Sequence, residues 1–371
     1  MFIISVCSAL ASNIAILIIF RVFLGLLVGF FAPLGATMLA ELTPIAKRGR
    51  YMSLIQLSLS FGFIFGICMA LLILPDMSHG NWRLLIIVCS IPAIVAFLLS
   101  IIFLDESPRY QIILEQYDDA FNTIDKINTL NGRKKWERLS EGQKNKIVEW
   151  SSSVNKSFSK KDVASVKGLF KENGKIITPL LWMDWFTTSF VYYGIVIFLP
   201  ETLEKIKNET KGSESQDILK LLVSTVTEIF SVMLAAILIE FKFFGRKNSM
   251  IIFYFLTSFT ALIVYLDDKS HFIYWATLSK FFCTMTSVFL FQYTSEVYNT
   301  RCRTTGLGMA SGLGRLGGIM MPWICVILSD ISPVAPFLSF VVLAAICGVV
   351  NFLLPFDTTG KPLDVVEEEI N

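Results

Sequence analysis

Ionisable side chains lie inside long apolar stretches of this sequence, where a charge is costly. They include Arg21, Asp184, Glu228, Lys280 and Arg315. An ionisable residue within a membrane-spanning segment is a candidate for a functional role by default. A carboxyl group there can bind a cation, relay a proton or pair with a base, and a guanidinium can hold a carboxylate through two parallel hydrogen bonds. These residue types predict either a site for a small charged molecule or charges that neutralise one another.

The composition predicts that membrane-spanning helices carry these residues. Of the 371 residues, 54% are hydrophobic and only 17% are charged, whereas charged residues make up roughly 25% of ordinary soluble domains. The mean hydropathy is +0.63. This composition excludes a disordered chain and disfavours a soluble enzyme. The 32 basic and 30 acidic residues nearly balance, so no nucleic-acid partner is expected and the expected environment is the lipid bilayer.

Long uncharged runs predict nine complete membrane spans and the end of a further helix at residues 1–12, with a break near Asn13. The polar segment 105–175 is expected to form short amphipathic helices on the membrane surface. The predicted organisation is all α-helical, with an N-terminal bundle 1–104, the loop 105–175, a C-terminal bundle 176–356 and a tail 357–371. The predicted complete spans are 14–40, 51–75, 84–104, 178–200, 218–240, 248–266, 272–295, 304–329 and 333–356.

The basic residues of the short connections predict how the helices are oriented. Eight of them lie on one side of the membrane and four on the other, and the side richer in Lys and Arg is the cytosolic one. Segment 105–175 and the C-terminus are therefore expected in the cytosol. Connection 201–217 is expected outside, and it contains a glycosylation sequon at Asn208. The eight are Lys47, Arg48, Arg50, Lys242, Arg246, Lys247, Arg301 and Arg303, and the four are Lys205, Lys207, Lys211 and Lys269.

The two halves of the chain carry the same charges in the same order. Glu41 is followed seven residues later by Arg48, and Glu296 is followed seven residues later by Arg303. A basic residue precedes each glutamate inside an apolar run. A duplicated bundle on either side of a central loop is the plan of a secondary transporter whose halves rock about a site near the midplane. We expect each glutamate and the arginine that follows it to pair as a gate at the cytosolic face.

These residues resemble motifs of the major facilitator superfamily. Residues 21–50 look like the fourth helix and following loop of its sugar-porter-like members. Residues 105–109 are similar to the motif at the end of helix six, and residues 245–247 match the end of the loop motif between helices eight and nine. Residues 293–298 and 306–317 are similar to the branch of synaptic-vesicle-protein-2-related and organic-ion transporters. The family's first two helices and most of its third have no counterpart, so the resemblance implies an incomplete first bundle and an N-terminally truncated chain.

The resemblance implies two pseudo-symmetric bundles that transport a small organic ion by alternating access. Organic-anion members have a basic residue on helix eleven that contacts the anion, so Arg315 implies an organic anion. Arg21 is assigned a coupling or a structural role. A monomer without cofactor, metal or catalytic residue is expected, while a co-transported proton and the identity of the membrane are left open. Taken together with the buried charges and the repeat, the expected substrate-binding residues are Arg315, Glu228, Asp184, Gln56, Trp185, Tyr193 and Lys280, and the expected cytosolic gate residues are Glu41, Arg48, Glu106, Arg109, Gly245, Arg246, Glu296 and Arg303.

Alternatives to a substrate contact stay open for individual residues. Arg315 is expected either to hold the anion or to form a salt bridge with Glu228 or Asp184. The aromatic residues near Asp184 allow a cage for an organic ion, and they equally allow ordinary packing. Those residues are Trp182, Trp185, Tyr192 and Tyr193.

Two alternatives to an organic-ion transporter also stay open. A membrane receptor or scaffold with a transporter fold is favoured by Lys242, which stands where the loop motif usually has Asp, and by the incomplete first half. A sugar porter is not excluded, because Gln56 lies where sugar porters have a substrate-binding Gln. Residues 312–317 fit the dinucleotide fingerprint Gly-x-Gly-x-x-Gly, but they lie in an apolar helix without the strand that the fingerprint requires.

Overall fold

The structure, a computed structural model, is predominantly α-helical over the residues that it describes. The described residues are 1–44, 47–74, 80–132, 139–157, 166–170, 174–208, 214–239, 241, 244–267, 271–298 and 300–359. Over these ranges there is no strand, which confirms the all-α prediction. The helices are α1 (Phe2–Ala9), α2 (Ile14–Leu42), α3 (Arg48–Ile73), α4 (Trp82–Phe103), α5 (Pro108–Ile113), α6 (Tyr117–Leu130), α7 (Glu141–Ser157), α8 (Gly174–Asn208), α9 (Glu214–Leu238), α10 (Lys247–Leu266), α11 (Phe272–Val297), α12 (Thr300–Ser329) and α13 (Pro336–Val350).

Seven helices of the described chain are long and apolar enough to cross a membrane by length and composition: α2, α3, α4, α8, α10, α12 and α13. The other two predicted spans also form helices, α9 and α11, although α9 is apolar only over Val223–Leu238. Most residues of α11 are buried, and the helix packs against α8, α9 and α10. Its polar side chains therefore face other helices, and this is why its sequence is less apolar than that of a lipid-facing span.

The first bundle begins with the predicted break between a short helix and a long one. The side chain of Asn13 accepts a hydrogen bond from the Ile16 amide at 2.9 Å, which makes Asn13 the N-cap of α2. The helix α1 packs on α2 and α4, and Arg83 Nη2 donates to the Ala11 carbonyl at 3.2 Å. The long helices α2, α3 and α4 leave most of their apolar side chains exposed.

The second bundle, α8 to α13, is the more tightly packed of the two. Phe253 and Phe289 stack at its centre with ring centroids 5.5 Å apart. The helices α8 and α12 approach so closely that a Cβ on Gly317 would overlap the Phe186 carbonyl oxygen. The two bundles meet where α3 lies against α9 and where α2 lies against α12.

The polar segment between the bundles forms the helices α5, α6 and α7. Ser107 caps α5, and α5 packs on α6 and α7. Thr123 donates to the Gln111 side chain at 3.3 Å, and Ser151 donates to the Ile112 carbonyl at 3.1 Å. A short 3-10 helix, Val166–Phe170, precedes α8. The placement of these helices on a membrane surface stays a prediction, and so do the boundaries of the four predicted regions.

Candidate gate and substrate site

The predicted gate residues gather at the end of the bundles from which the 105–175 segment extends. The chain reverses there between α2 and α3, between α9 and α10, and between α11 and α12. We call this end of the molecule the gate face. Each connection places a glutamate or an arginine next to the boundary between the bundles.

A buried ion pair joins the two bundles at the gate face. Arg303 Nη1 lies 3.0 Å from Glu41 Oε1, with side-chain exposures of 0% and 8%. Arg48 donates from Nε to the Ala40 carbonyl at 3.2 Å and lies within electrostatic range of Glu296. The expected pairing within each half, Glu41 with Arg48 and Glu296 with Arg303, is therefore wrong. The copies of the repeat face each other across the boundary, so each arginine approaches the glutamate of the other half.

In the second half of the gate, several side chains bond to the carboxylate of Glu296, and we call this group of residues the Glu296 hub. Glu296 Oε1 accepts from Arg246 Nη2 at 3.2 Å and from Gln292 Nε2 at 2.9 Å, and its Oε2 accepts from Thr358 Oγ1 at 2.7 Å. Arg246 also donates from Nη1 to the Ile239 carbonyl at 3.3 Å. Every carboxylate oxygen of this buried residue is thus bonded, so the charge is compensated.

The segment 351–359, which follows α13, forms part of the Glu296 hub. Asp357 accepts from the Arg246 backbone amide at 3.1 Å. The neighbouring Gly245 has a positive φ of 47°, and a Cβ there would also overlap the Asp357 carboxylate. Lys247 Nζ donates to the Leu354 carbonyl at 2.6 Å. The sequence prediction missed this role, because it assigned residues from 357 onward to a tail. The sequence did offer a signal for this role, because the carboxylate of Asp357 follows the last span closely and could meet the basic loop that contains Arg246.

Ser107 also contacts the gate, and the sequence prediction missed it. Its Oγ donates to Glu41 Oε2 at 2.5 Å, and its backbone amide donates to Glu106 Oε1 at 3.1 Å. Arg109 lies within electrostatic range of Arg48, and the two like charges repel each other. Of the predicted residues 106 and 109, the structure therefore brings Arg109 near the gate cations and uses Glu106 to orient Ser107.

A second buried ion pair lies inside the second bundle. Lys280 Nζ on α11 is 2.7 Å from Glu228 Oε1 on α9, with side-chain exposures of 6% and 3%. Tyr192 on α8 donates to the same oxygen at 3.2 Å, and its ring lies 6.5 Å from the Phe63 ring of the first bundle. Two predicted site residues thus meet and neutralise each other.

Arg315 on α12 is exposed, and its Nη1 donates to the Tyr193 hydroxyl. The alternative pairing of Arg315 with Glu228 or Asp184 does not occur, since Glu228 is bonded to Lys280 and Asp184 to Asn351. Gly314 permits α12 to approach α8 closely, because a Cβ at this position would lie only 3.0 Å from the Trp185 carbonyl oxygen on α8. Arg315 and Tyr193 therefore present a guanidinium and a phenol on one surface.

Asp184 lies away from that surface. It is 1% exposed, and its Oδ1 accepts from Asn351 Nδ2 at 3.0 Å. Tyr254 on α10 donates to its backbone carbonyl at 3.1 Å. A substrate contact with Asp184 is therefore not available in this conformation, and an aromatic cage around it is not formed, because Trp182 packs edge-on against Phe170 instead.

The remaining predicted residues occupy the boundary between the bundles or the first bundle. Gln56 Nε2 donates across the boundary to Ser287 Oγ at 3.3 Å. Trp185 Nε1 donates to Thr294 Oγ1 at 3.0 Å, and its ring lies 5.8 Å from the Phe291 ring. Arg21 is exposed on α2, far along the helix from Glu41 at 1.5 Å per residue. The structure brings Gln56 and Trp185 to the boundary and leaves Arg21 apart from them.

These helices and contacts define a polytopic membrane protein with the major facilitator fold. A structure of the proton:xylose symporter XylE bound to 6-bromo-6-deoxy-D-glucose matches with a TM-score of 0.76 and 20% identity, over 100% of this chain and 81% of that one; this likeness shows the fold. A family model for the sugar (and other) transporters matches residues 1–370. The chain belongs to that family.

Curated relatives match almost the whole of this chain. The synaptic vesicle 2-related protein of Xenopus laevis is 26% identical over 375 residues, which cover 96% of this chain and 64% of that protein. Organic cation/carnitine transporter 7 of Arabidopsis thaliana is 27% identical, over 96% and 76% of the two chains. The niacin transporter NiaP of Acinetobacter baylyi is 26% identical, over 96% and 77%. The chain thus spans about two thirds of the length of the first of these relatives.

Proposed function

We propose that this protein moves a small organic anion across a membrane by alternating access between its two bundles. The observation that carries the proposal is Arg315: it is exposed midway along α12 and donates to a phenol, whereas the buried charges Lys280 and Glu228 are already paired. An exposed guanidinium on a helix inside the bundle attracts an anion, and its planar donors fit a carboxylate.

The gate supports the alternating-access part of the proposal. The Glu41–Arg303 pair and the contacts of Glu296 hold the gate face closed, while Arg315 lies farther along α12, away from that face. Such pairs can form in one access state and break in the other. The gate face is proposed to be cytosolic because it carries the excess of Lys and Arg.

The names of the relatives do not agree on the charge of the transported molecule. The niacin transporter carries, by its name, a molecule whose chemistry is that of a monocarboxylic acid, and the organic cation/carnitine transporter carries, by its name, a cation or carnitine. The exposed base at Arg315 favours the carboxylate. Nicotinate is therefore the first probe to use.

The test is uptake of radiolabelled nicotinate and other monocarboxylates by proteoliposomes containing the chain or its Arg315→Ala variant. A hydrogen bond to a charged group is worth about 1.5–3 kcal/mol, so we expect roughly a tenfold or greater loss of uptake. Arg315→Lys keeps the positive charge but lacks the two parallel donors of a guanidinium, so it should retain only part of the activity. The matched control is Leu316→Ala, an exposed neighbour on the same helix, which should transport like the unmodified chain.

Other outcomes would decide for the alternatives. Uptake of a verified anion that Arg315→Ala leaves unchanged would refute an anion site at Arg315. Uptake of xylose instead of any anion would favour a sugar porter with Gln56 at its site. A folded protein that transports neither class would favour a receptor or scaffold with a transporter fold.

A further inference from the structure

The buried carboxyl group of Asp184 lacks the partners that an ionised carboxylate requires. Its Oδ1 accepts a hydrogen bond from Asn351 Nδ2 at 3.0 Å, and the Tyr254 hydroxyl and the Cys347 thiol, both neutral donors, also lie near the carboxyl group. Its second oxygen, Oδ2, is buried without a hydrogen-bond partner, and the side-chain oxygen of Asn351, Oδ1, is buried without one too. Burying an ion without a counter-ion costs several kcal/mol, and such a group is neutralised instead.

No positive charge among the described residues compensates Asp184. The titratable groups that face it are Tyr254 on α10, Cys347 on α13 and Tyr293 on α11, and none of them is a base. The other elements that border α8 direct their charged groups elsewhere. Glu228 of α9 pairs with Lys280, Arg303 and Arg315 of α12 contact Glu41 and Tyr193, and Lys167 of the 3-10 helix Val166–Phe170 is exposed.

One proton would satisfy both unpaired oxygens. While Asp184 is ionised, its Oδ2 and the Oδ1 of Asn351 are both acceptors and cannot bond to each other. A proton on Oδ2 turns that atom into a donor, and the two side chains then form the paired hydrogen bonds of a carboxylic acid facing a primary amide. We infer that Asp184 and Asn351 form a proton-binding site of the second bundle, separate from the substrate surface, which is loaded with a proton when the gate face is closed.

The same amide connects the site to the gate. Asn351 begins the 3-10 helix Asn351–Leu353, and the chain continues from it into the segment that reaches the gate. Tyr293 donates to the Phe356 carbonyl at 3.0 Å, and Thr358 donates to Glu296 at 2.7 Å. Loss of the proton to water at the gate face leaves a carboxylate that draws water or a cation and releases Asn351. The segment 351–359 then loosens from Glu296.

The inference deepens the proposed transport function, because it supplies a site for a co-transported proton, but its test needs no substrate. Infrared spectra of the purified protein should show the C=O stretch of a buried protonated carboxylic acid, sensitive to exchange into D2O. Asp184→Asn should remove that band, since its amide can donate to Asn351 as the protonated acid does and keeps the fold. The matched control is Asp105→Asn, because Asp105 lies in an exposed ion pair with Lys126 and should contribute no such band.

Hydrogen exchange gives the second readout. If opening releases one proton, the opening equilibrium constant of segment 351–359 should rise about tenfold per pH unit once Asp184 titrates, beyond the intrinsic pH dependence of exchange. In Asp184→Asn the segment should stay protected and follow the intrinsic dependence alone. A missing acid band in the closed state, or an equal pH response in Asp184→Asn, would overturn the proton site. Either result would leave the Arg315 uptake test unaffected, so the two proposals fail separately.

Discussion

The ion pair between Glu41 and Arg303 should set how tightly the gate face is closed. Replacing Arg303 by Met removes the charge and keeps most of the side-chain volume. Among the described residues, Glu41 then retains the hydroxyl of Ser107 as its hydrogen-bond partner, in a position that is 8% exposed. Breaking one side of a buried pair costs about 3–5 kcal/mol. The Ser107 contact places the expected cost near the lower end of that range.

A cost of about 3 kcal/mol shifts the equilibrium between closed and open gate by roughly two powers of ten. Cys302 precedes Arg303 on α12 and is half-buried, so it can report the opening. We expect a water-soluble maleimide to alkylate Cys302 in Arg303→Met at least about ten times faster than in the unmodified chain. Mass spectrometry of the peptides separates this cysteine from the others.

A double-mutant cycle shows whether the effect comes from the pair. Glu41→Gln should raise the alkylation rate as Arg303→Met does, and the double variant should be no faster than either single variant, because the buried uncompensated charge is gone. Lys126→Met is the control, since it breaks the exposed ion pair with Asp105, which is worth about 0–1 kcal/mol. An unchanged Cys302 rate in Arg303→Met, or additive effects of the two gate variants, would refute the reasoning.

Two further predictions concern stability, measured by thermal unfolding in detergent. Lys280→Met should destabilise the second bundle by about 3–5 kcal/mol, because it leaves Glu228 buried without its cation, and adding Glu228→Gln should restore most of the loss; a double variant as unstable as Lys280→Met would contradict this. Gly317→Ala should cost about 1–3 kcal/mol, since its Cβ would overlap the Phe186 carbonyl oxygen. Gly312→Ala, with no atom within 4 Å of its Cβ, should be neutral or slightly stabilising, and equal effects of the two glycine variants would refute close packing as the cause.

The sequence predicted the helices well because lipid imposes a simple rule on them. Uncharged runs long enough to cross the bilayer became helices, and Asn13 marked the break between the first two. The same rule picked out the buried charges, since a charge in such a run is rare. Glu228 and Lys280 were therefore found as candidates, although only the fold shows that α9 and α11 bring them together.

Sequence spacing could not predict the partners at the gate. Glu41 and Arg48 are close along the chain, and so are Glu296 and Arg303, but the Glu41–Arg303 ion pair crosses between the bundles, and Arg48 lies within electrostatic range of Glu296. Because the two copies of the repeat face each other, the same spacing is compatible with pairing within each half and with pairing across the boundary. Only the boundary between the bundles decides between them.

The contacts of uncharged polar residues also could not be predicted from the sequence. Ser107 and Thr358 contact gate carboxylates, and Asn351 contacts Asp184, but Ser, Thr and Asn are common near helix ends and carry no pattern that marks a contact. Asp184 was expected at the substrate surface because it is an acid among aromatic residues. The helix α8 is packed on several sides, and its sequence does not reveal which side a given residue faces.

The Glu228–Lys280 pair has a consequence for how the protein is made. By its composition, α11 falls short of the apolar character of an independent span, and an unpaired lysine makes insertion of a helix from the translocon less favourable. Synthesis runs from the N-terminus, so α9 with its carboxylate is already in place when Lys280 leaves the ribosome. We therefore expect the acid on the earlier helix to pair with Lys280 during insertion, so that α11 enters the bilayer as a partner of α9 and α10 instead of on its own.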